Sequence, residues 1–197
     1  MTPTPTSPTS RERILAAALP VFLEHGLAGA SIEDVCGRAA ASVGSLYHHF
    51  GSKEGLAAAV FESALSLYQS SVLATLEEHP SDAERGVRAM VATHLRWCLE
   101  EHPDEARFLL FHGDAARGAT GVELAAANRA FFRRVSGWWR THVAYGALRA
   151  LEFDLAYAIL LGPAQEFCRL SLTGRTTIPT DQALPVLADG AWLALTP

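Results

Sequence analysis

The sequence has 197 residues, 49% of them hydrophobic, and a formal net charge of −5. That apolar share suits one large domain or a small head on a larger body, and it excludes an extended disordered chain. The negative balance excludes a protein held to nucleic acid by overall basicity, so any such contact must be local.

The opening MTPTPTSPTS has neither the positive n-region nor the apolar h-region of a signal peptide. Its Pro, Thr and Ser content predicts a disordered tail over residues 1–9. Ser10 is the expected N-cap of a first helix, with Glu12 in its opening turn. Ile14, Leu15, Ala18 and Phe22 form its apolar stripe. Pro20 removes an interior hydrogen bond at roughly 3 kcal/mol and predicts a kink, and Gly26 predicts the stop. A second helix opens at Ser31, with Asp34 three residues on, and turns Ile32, Val35, Cys36 and Ala39 inward. Ala40 and Ala41 make the turn, and Ser42 caps a third helix whose Leu46 and Phe50 face inward at i, i+4. Helical spacing then puts Gly44 and His48 outward, Ser45 and His49 on one edge and Tyr47 on the other, with Val43 nearer the inner face. Gly51 ends this helix and Ser52 caps the next.

From Ser52 to about Glu78 the stripe is Leu56, Val60, Ala64 and Leu67, and His79-Pro80 ends it. The next helix runs from Ala83 to Glu101, with Val87, Met90, Val91, His94, Leu95 and Cys98 inward. Pro103 suits the first position of a short helix through Phe111. A longer helix spans Val122 to Tyr145, and another Glu152 to Leu172. The almost unbroken apolar segment Leu155–Ala164 predicts burial on all sides, with a bend at Pro163. The last helix, Asp181 to Leu195, carries Leu184, Leu187, Ala188, Ala191, Trp192 and Leu195 as one seam. No stretch has a strand period, so the predicted fold is all-α with about nine helices. No apolar run reaches the length of a membrane span. Cys36, Cys98 and Cys168 are widely separated and form no C-x-x-C, which predicts reduced thiols in a cytoplasmic protein, with no disulfide framework, zinc site or other metal site.

AAASVGSLYHHFGSKEGL, residues 39–56, resembles the DNA-reading segment of the TetR family of bacterial one-component transcriptional regulators. The resemblance covers roughly residues 11–61 and rests on Gly-Ser-Leu-Tyr-His-His-Phe followed by Gly-Ser-Lys-Glu. It implies a three-helix head with a helix-turn-helix over residues 10–55 and a helical ligand-binding and dimerisation body over 56–197. It also implies a recognition helix in the major groove. Ser31, Ser42, Ser45, Tyr47, His49 and Lys53, the only lysine of the chain, would then hold the DNA backbone. Val43, Gly44 and His48 would meet the bases, Val43 by touching a thymine methyl.

In the body, His94, Trp97, Phe108, Phe111, His112, Phe131, Trp138 and Phe167 are the candidate lining of a pocket for an unknown small-molecule effector. Leu155, Ile159 and Phe167, with the seam from Leu184 to Leu195, are the candidate homodimer face. No Ser/His/Asp or Cys/His arrangement is readable from the spacing, and His112-Gly113-Asp114 lacks the spacing of metal ligands on one helix face. The expected protein is therefore a cofactor-free, non-enzymatic, ligand-responsive repressor bound to operator DNA as a homodimer. The alternative is a helical small-molecule-binding protein or enzyme with a vestigial head.

Overall fold

Helix-period patterning is realised along the chain. The computed structural model describes residues 8–113 and 122–197 (without the side chains of 122 and 123), and every regular element among them is a helix. There are nine α-helices among the described residues: α1 (Ser10–Gly29), α2 (Ile32–Ala39), α3 (Val43–Phe50), α4 (Lys53–Glu78), α5 (Ala83–Arg96), α6 (Pro103–Phe111), α7 (Val122–Ala144), α8 (Phe153–Leu172) and α9 (Thr180–Leu195). A π turn, Trp97–Glu101, follows α5. The described residues divide into two units, 8–64 with 107–113 and 65–106 with 122–197. The first unit therefore extends beyond residue 55, through the opening turns of α4, and takes in the end of α6.

In the first unit Thr9, and not Ser10, caps α1. Its hydroxyl accepts from the Glu12 amide at 3.3 Å and its own amide donates to the Glu12 carboxylate at 2.7 Å. Only from Thr9 does Glu12 fall at the third helical position, where this reciprocal pair can close. Thr9 thus belongs to the helix, while residues 1–7 of the expected tail lie outside the described residues. Pro20 lies inside α1 without a departure from helical backbone angles, and the departure comes at Gly26, where the sequence predicts the stop. There φ is 68°, a positive value that a glycine enters without a Cβ clash. Ile14, Phe22, Val35, Leu46 and Leu56 are fully enclosed, each worth about 1.5–3 kcal/mol of burial. Phe108 stacks on Phe22 with ring centres 5.9 Å apart.

In the second unit α5 packs against α8 and α9, which also pack on each other. Val87, Met90, Val91, His94, Leu95 and Cys98 are buried as their spacing predicts. A Cβ on Gly86 would stand 2.3 Å from Cζ2 of Trp138, so that ring is seated directly on the α5 backbone. The Trp138 indole donates to the His79 carbonyl at 2.9 Å. On α4, Leu67 is exposed, contrary to the predicted stripe, and polar pairs take inner positions instead. Gln69 donates to Asn128 at 2.6 Å, and the hydroxyls of Thr75 and Thr93 are 2.7 Å apart. Among the described residues α4 alone is long and apolar enough to cross a membrane by length and composition, where the sequence suggested no such run.

The all-round burial expected of Leu155–Ala164 is not found within the chain. Ala156, Leu160, Leu161 and Ala164 are buried, but Leu155 is 53% exposed and Ala158, Gly162 and Pro163 are exposed too. One side of α8 faces α5 and α9, Tyr157 meets Phe132 of α7, and the side carrying Leu155, Ala158 and Gly162 is open among the described residues. Pro163 and Pro185 both lie inside their helices without ending them.

Candidate nucleic-acid interface

The α2–turn–α3 segment is held by local bonds that its residue types dictate. Ser31 caps α2 by accepting from the Asp34 amide at 3.3 Å, and its hydroxyl donates to Glu33 at 2.9 Å. Ala40 takes the left-handed conformation (φ 47°, ψ 49°) and reverses the chain. Ser42 caps α3 by accepting from the Ser45 amide at 3.1 Å. Leu46 is fully enclosed and pins α3 to the core, while Phe50 is half-buried beneath the Arg11 guanidinium, 5.4 Å above its ring. The Ser45 hydroxyl meets that of Ser10 at 2.9 Å and ties α3 to α1.

At about 100° per residue, Val43, Tyr47, Gly44 and His48 fall in one arc of α3, and all four are exposed. Val43 is 39% exposed, which corrects its predicted place near the inner face: it sits in the first turn, before neighbouring helices cover the wheel. A Cβ on Gly44 would meet only the Ser42 hydroxyl, at 3.9 Å, so its backbone is open to close approach. Tyr47 is 47% exposed. His49 is exposed on the far edge beside Ser45, its ring 5.3 Å from His48 and 6.2 Å from Phe50.

The cations of the head are engaged internally. Lys53 donates to the carbonyls of Ala28 at 3.0 Å and Ala30 at 3.2 Å, leaving one of its three N–H groups over. Arg38 makes a two-pronged pair with Glu24, at 3.0 and 2.5 Å, which holds the Glu24 carboxyl below its ordinary range. Arg13 donates to the carbonyls of Ala39 and Pro8. Spacing alone missed Ser10 and Arg11, which brace α3 from α1, and Gly55. A Cβ on Gly55 would lie 2.1 Å from the Phe50 carbonyl oxygen, so glycine lets α4 begin directly against the end of α3. A glycine three residues after a capping serine was the available signal.

The eight pocket candidates are divided between the two units. Phe108, Phe111 and His112 lie in the first unit, with the rings of Phe108 and His112 5.7 Å apart and Phe111 exposed. The others lie in the second. Trp138 packs on Gly86 and on His142, whose ring centre is 4.3 Å away; Phe131 is buried against Phe132, and Phe167 is half-buried. His142 is buried with no partner for Nε2 among the described residues, and burial pushes its pKa down. His94 and Trp97 are buried beside Tyr68. The Tyr68 hydroxyl is 2.8 Å from Nδ1 of His94, and its ring is 5.1 Å from that of Trp97. Against the sequence reading, Cys98 and Cys168 come together there, within 4.8 Å of each other and of His94. The hydrogen bond they share lowers Cys168, helped by His94, and raises Cys98.

The predicted dimer seam also divides. Ala188, Ala191 and Leu195 are buried within the chain, and Leu184, Leu187, Trp192, Ile159 and Phe167 are half-buried. The open apolar side chains are Leu155, Val186 (69% exposed) and Leu193 (74%), because α9 turns its small residues toward α5 and α8. Ala158, Ile159, Pro163, Val186, Leu187, Gly190, Ala191 and Ala194 line a surface groove of about 420 Å³ between α8 and α9.

The family model described as bacterial regulatory proteins, tetR family, matches residues 14–60, which contain the whole α2–α3 arrangement. UidR, an HTH-type transcriptional regulator of Escherichia coli (strain K12), is 42% identical over 67 residues, 32% of this chain. Residues 14–60 are thus similar to the head of the TetR family. The match spans about a third of UidR's own length, 34%. The TetR fold extends over both units. A TetR family transcription regulator from Marinobacter aquaeolei VT8 superposes with a TM-score of 0.77 at 21% identity, covering 94% of this chain and 95% of that one. AibR, solved in complex with isovaleryl coenzyme A and operator DNA, gives a TM-score of 0.72 at 17% identity over 96% and 99% of the two chains.

Proposed function

We propose that this protein is a ligand-responsive transcriptional repressor of the TetR family that binds a pseudo-palindromic operator as a homodimer and acts in the cytoplasm, without enzymatic activity. The observation that carries the reading is the exposed arc of Val43, Gly44, Tyr47 and His48 on a helix capped by Ser42 and pinned by Leu46. A helix presented in this way can enter the major groove with its first residues at base edges. Val43, Gly44 and His48 meet bases. Ser31, Ser42, Ser45, Tyr47 and His49 offer hydroxyl and imidazole groups to phosphates, and Lys53 contributes its remaining N–H. The apolar side chains left open on α8 and α9 are what a twofold partner would cover. AibR's complex with an acyl coenzyme A and operator DNA supports a body that takes a small molecule while the head takes DNA. Such an effector releases the operator only by binding the released state more tightly.

Fluorescence anisotropy with a labelled duplex from the protein's own promoter region tests the reading. The expected result is a saturable complex of two chains per site. Because the head's cations are paired within the protein, affinity should fall with salt less steeply than for a strongly basic binder. No complex even at low salt would leave the second reading, a small-molecule-binding protein or enzyme with a vestigial head. The internal engagement of Lys53 and Arg38 is what favours it.

A further inference from the structure

His94 on α5, Cys98 in the π turn and Cys168 on α8 converge in the interior of the second unit, all three buried. Their ligating atoms lie within 4.8 Å of one another, with Sγ of Cys98 4.0 Å from Nε2 of His94. Donors on one zinc ion stand about 3.5–4 Å apart, given Zn–S near 2.3 Å and Zn–N near 2.0–2.1 Å. Side-chain rotation alone can close the difference. We propose that His94, Cys98 and Cys168 form a binding site for a divalent thiophilic metal ion, Zn2+.

Three independent features support it. Two sulfurs and an imidazole are a soft to borderline donor set, of the kind that selects zinc over magnesium or calcium. The unused ring nitrogen, Nδ1, already has an oxygen partner in the Tyr68 hydroxyl at 2.8 Å. A histidine bound through Nε2 needs this arrangement, its Nδ1–H donating outward and fixing ring and tautomer. Charge decides the valence. Two thiolates and a neutral imidazole around a divalent ion sum to zero, whereas a monovalent ion would leave a net negative charge buried beside Trp97. Binding displaces the two thiol protons to solvent as the two S–Zn bonds form. Three protein ligands leave a fourth position, open to water or to an exogenous donor. The π turn contributes directly, because it turns both Trp97 and its neighbour Cys98 inward.

Occupancy can be measured without DNA, so it stands apart from the operator reading. The full chain, reduced and stripped of metal, is titrated with Co2+. The expected result is a thiolate-to-cobalt charge-transfer band that saturates at one ion per chain and is displaced by Zn2+. Zn2+ should also raise the melting temperature of the unaltered protein, a readout independent of any variant. Cys168→Ser and Cys98→Ser should abolish the band, and Cys36→Ser, in the other unit, should leave it intact. Tyr68→Phe should weaken binding about 10–100-fold. Absence of the band in the unaltered protein, or its survival in Cys168→Ser, would overturn the proposal. Oxidation of Cys98 and Cys168 to a disulfide by peroxide, without metal uptake by the reduced protein, would overturn it as well.

Discussion

Gly55 shows how one missing methyl holds the head together. The start of α4 lies against the Phe50 carbonyl oxygen, 2.1 Å from where a Cβ would be, and backbone cannot swing aside as a long side chain can. Gly55→Ala should cost about 1–3 kcal/mol, seen in urea unfolding as a lowered midpoint with an unchanged slope. His142 makes a different demand. Burial lowers its pKa in the folded protein, with Asp82 partly opposing, so the unfolded chain takes up the proton first. Stability is therefore complete above the unfolded value, about 6.5, and declines as pH falls from there toward the folded value. Melting temperatures measured through this window should show that decline, and His142→Phe should flatten it.

The recognition helix has eight residues, too few to be stable by propensity alone. Its first turn depends on the Ser42 hydroxyl, so Ser42→Ala should lower thermal stability by about 1 kcal/mol and Ser42→Asp should restore it. Much of this element was legible in the sequence, because caps and i, i+4 pairs act within a few residues. Ser31, Ser42, Leu46 and the Ala40–Ala41 turn all stand where the pattern put them. What escaped depends on other elements. The exposure of Val43 turns on what fails to cover the first turn of α3, and the meeting of Cys98 with Cys168 on how α5 and α8 pack. The seam on α9 was real as a periodicity, but periodicity does not say which neighbour it faces. Ala188, Ala191 and Leu195 face their own chain.

For the whole molecule, Val186, Leu193 and Leu155 are the open apolar side chains of α8 and α9. Leu193→Glu should convert the proposed dimer to a monomer in size-exclusion chromatography with light scattering, while its helix content stays unchanged. A variant that remained dimeric would move the interface elsewhere. The paired cations of the head have a consequence for competition within a genome. Non-specific attraction to DNA is almost wholly electrostatic. A head whose Lys53, Arg38, Arg13 and Arg11 already serve as internal braces offers random sequence little to hold. For such a regulator most copies would remain free in solution, away from decoy sites. Occupancy of the operator would then track the number of protein molecules more closely than the amount of chromosome around it.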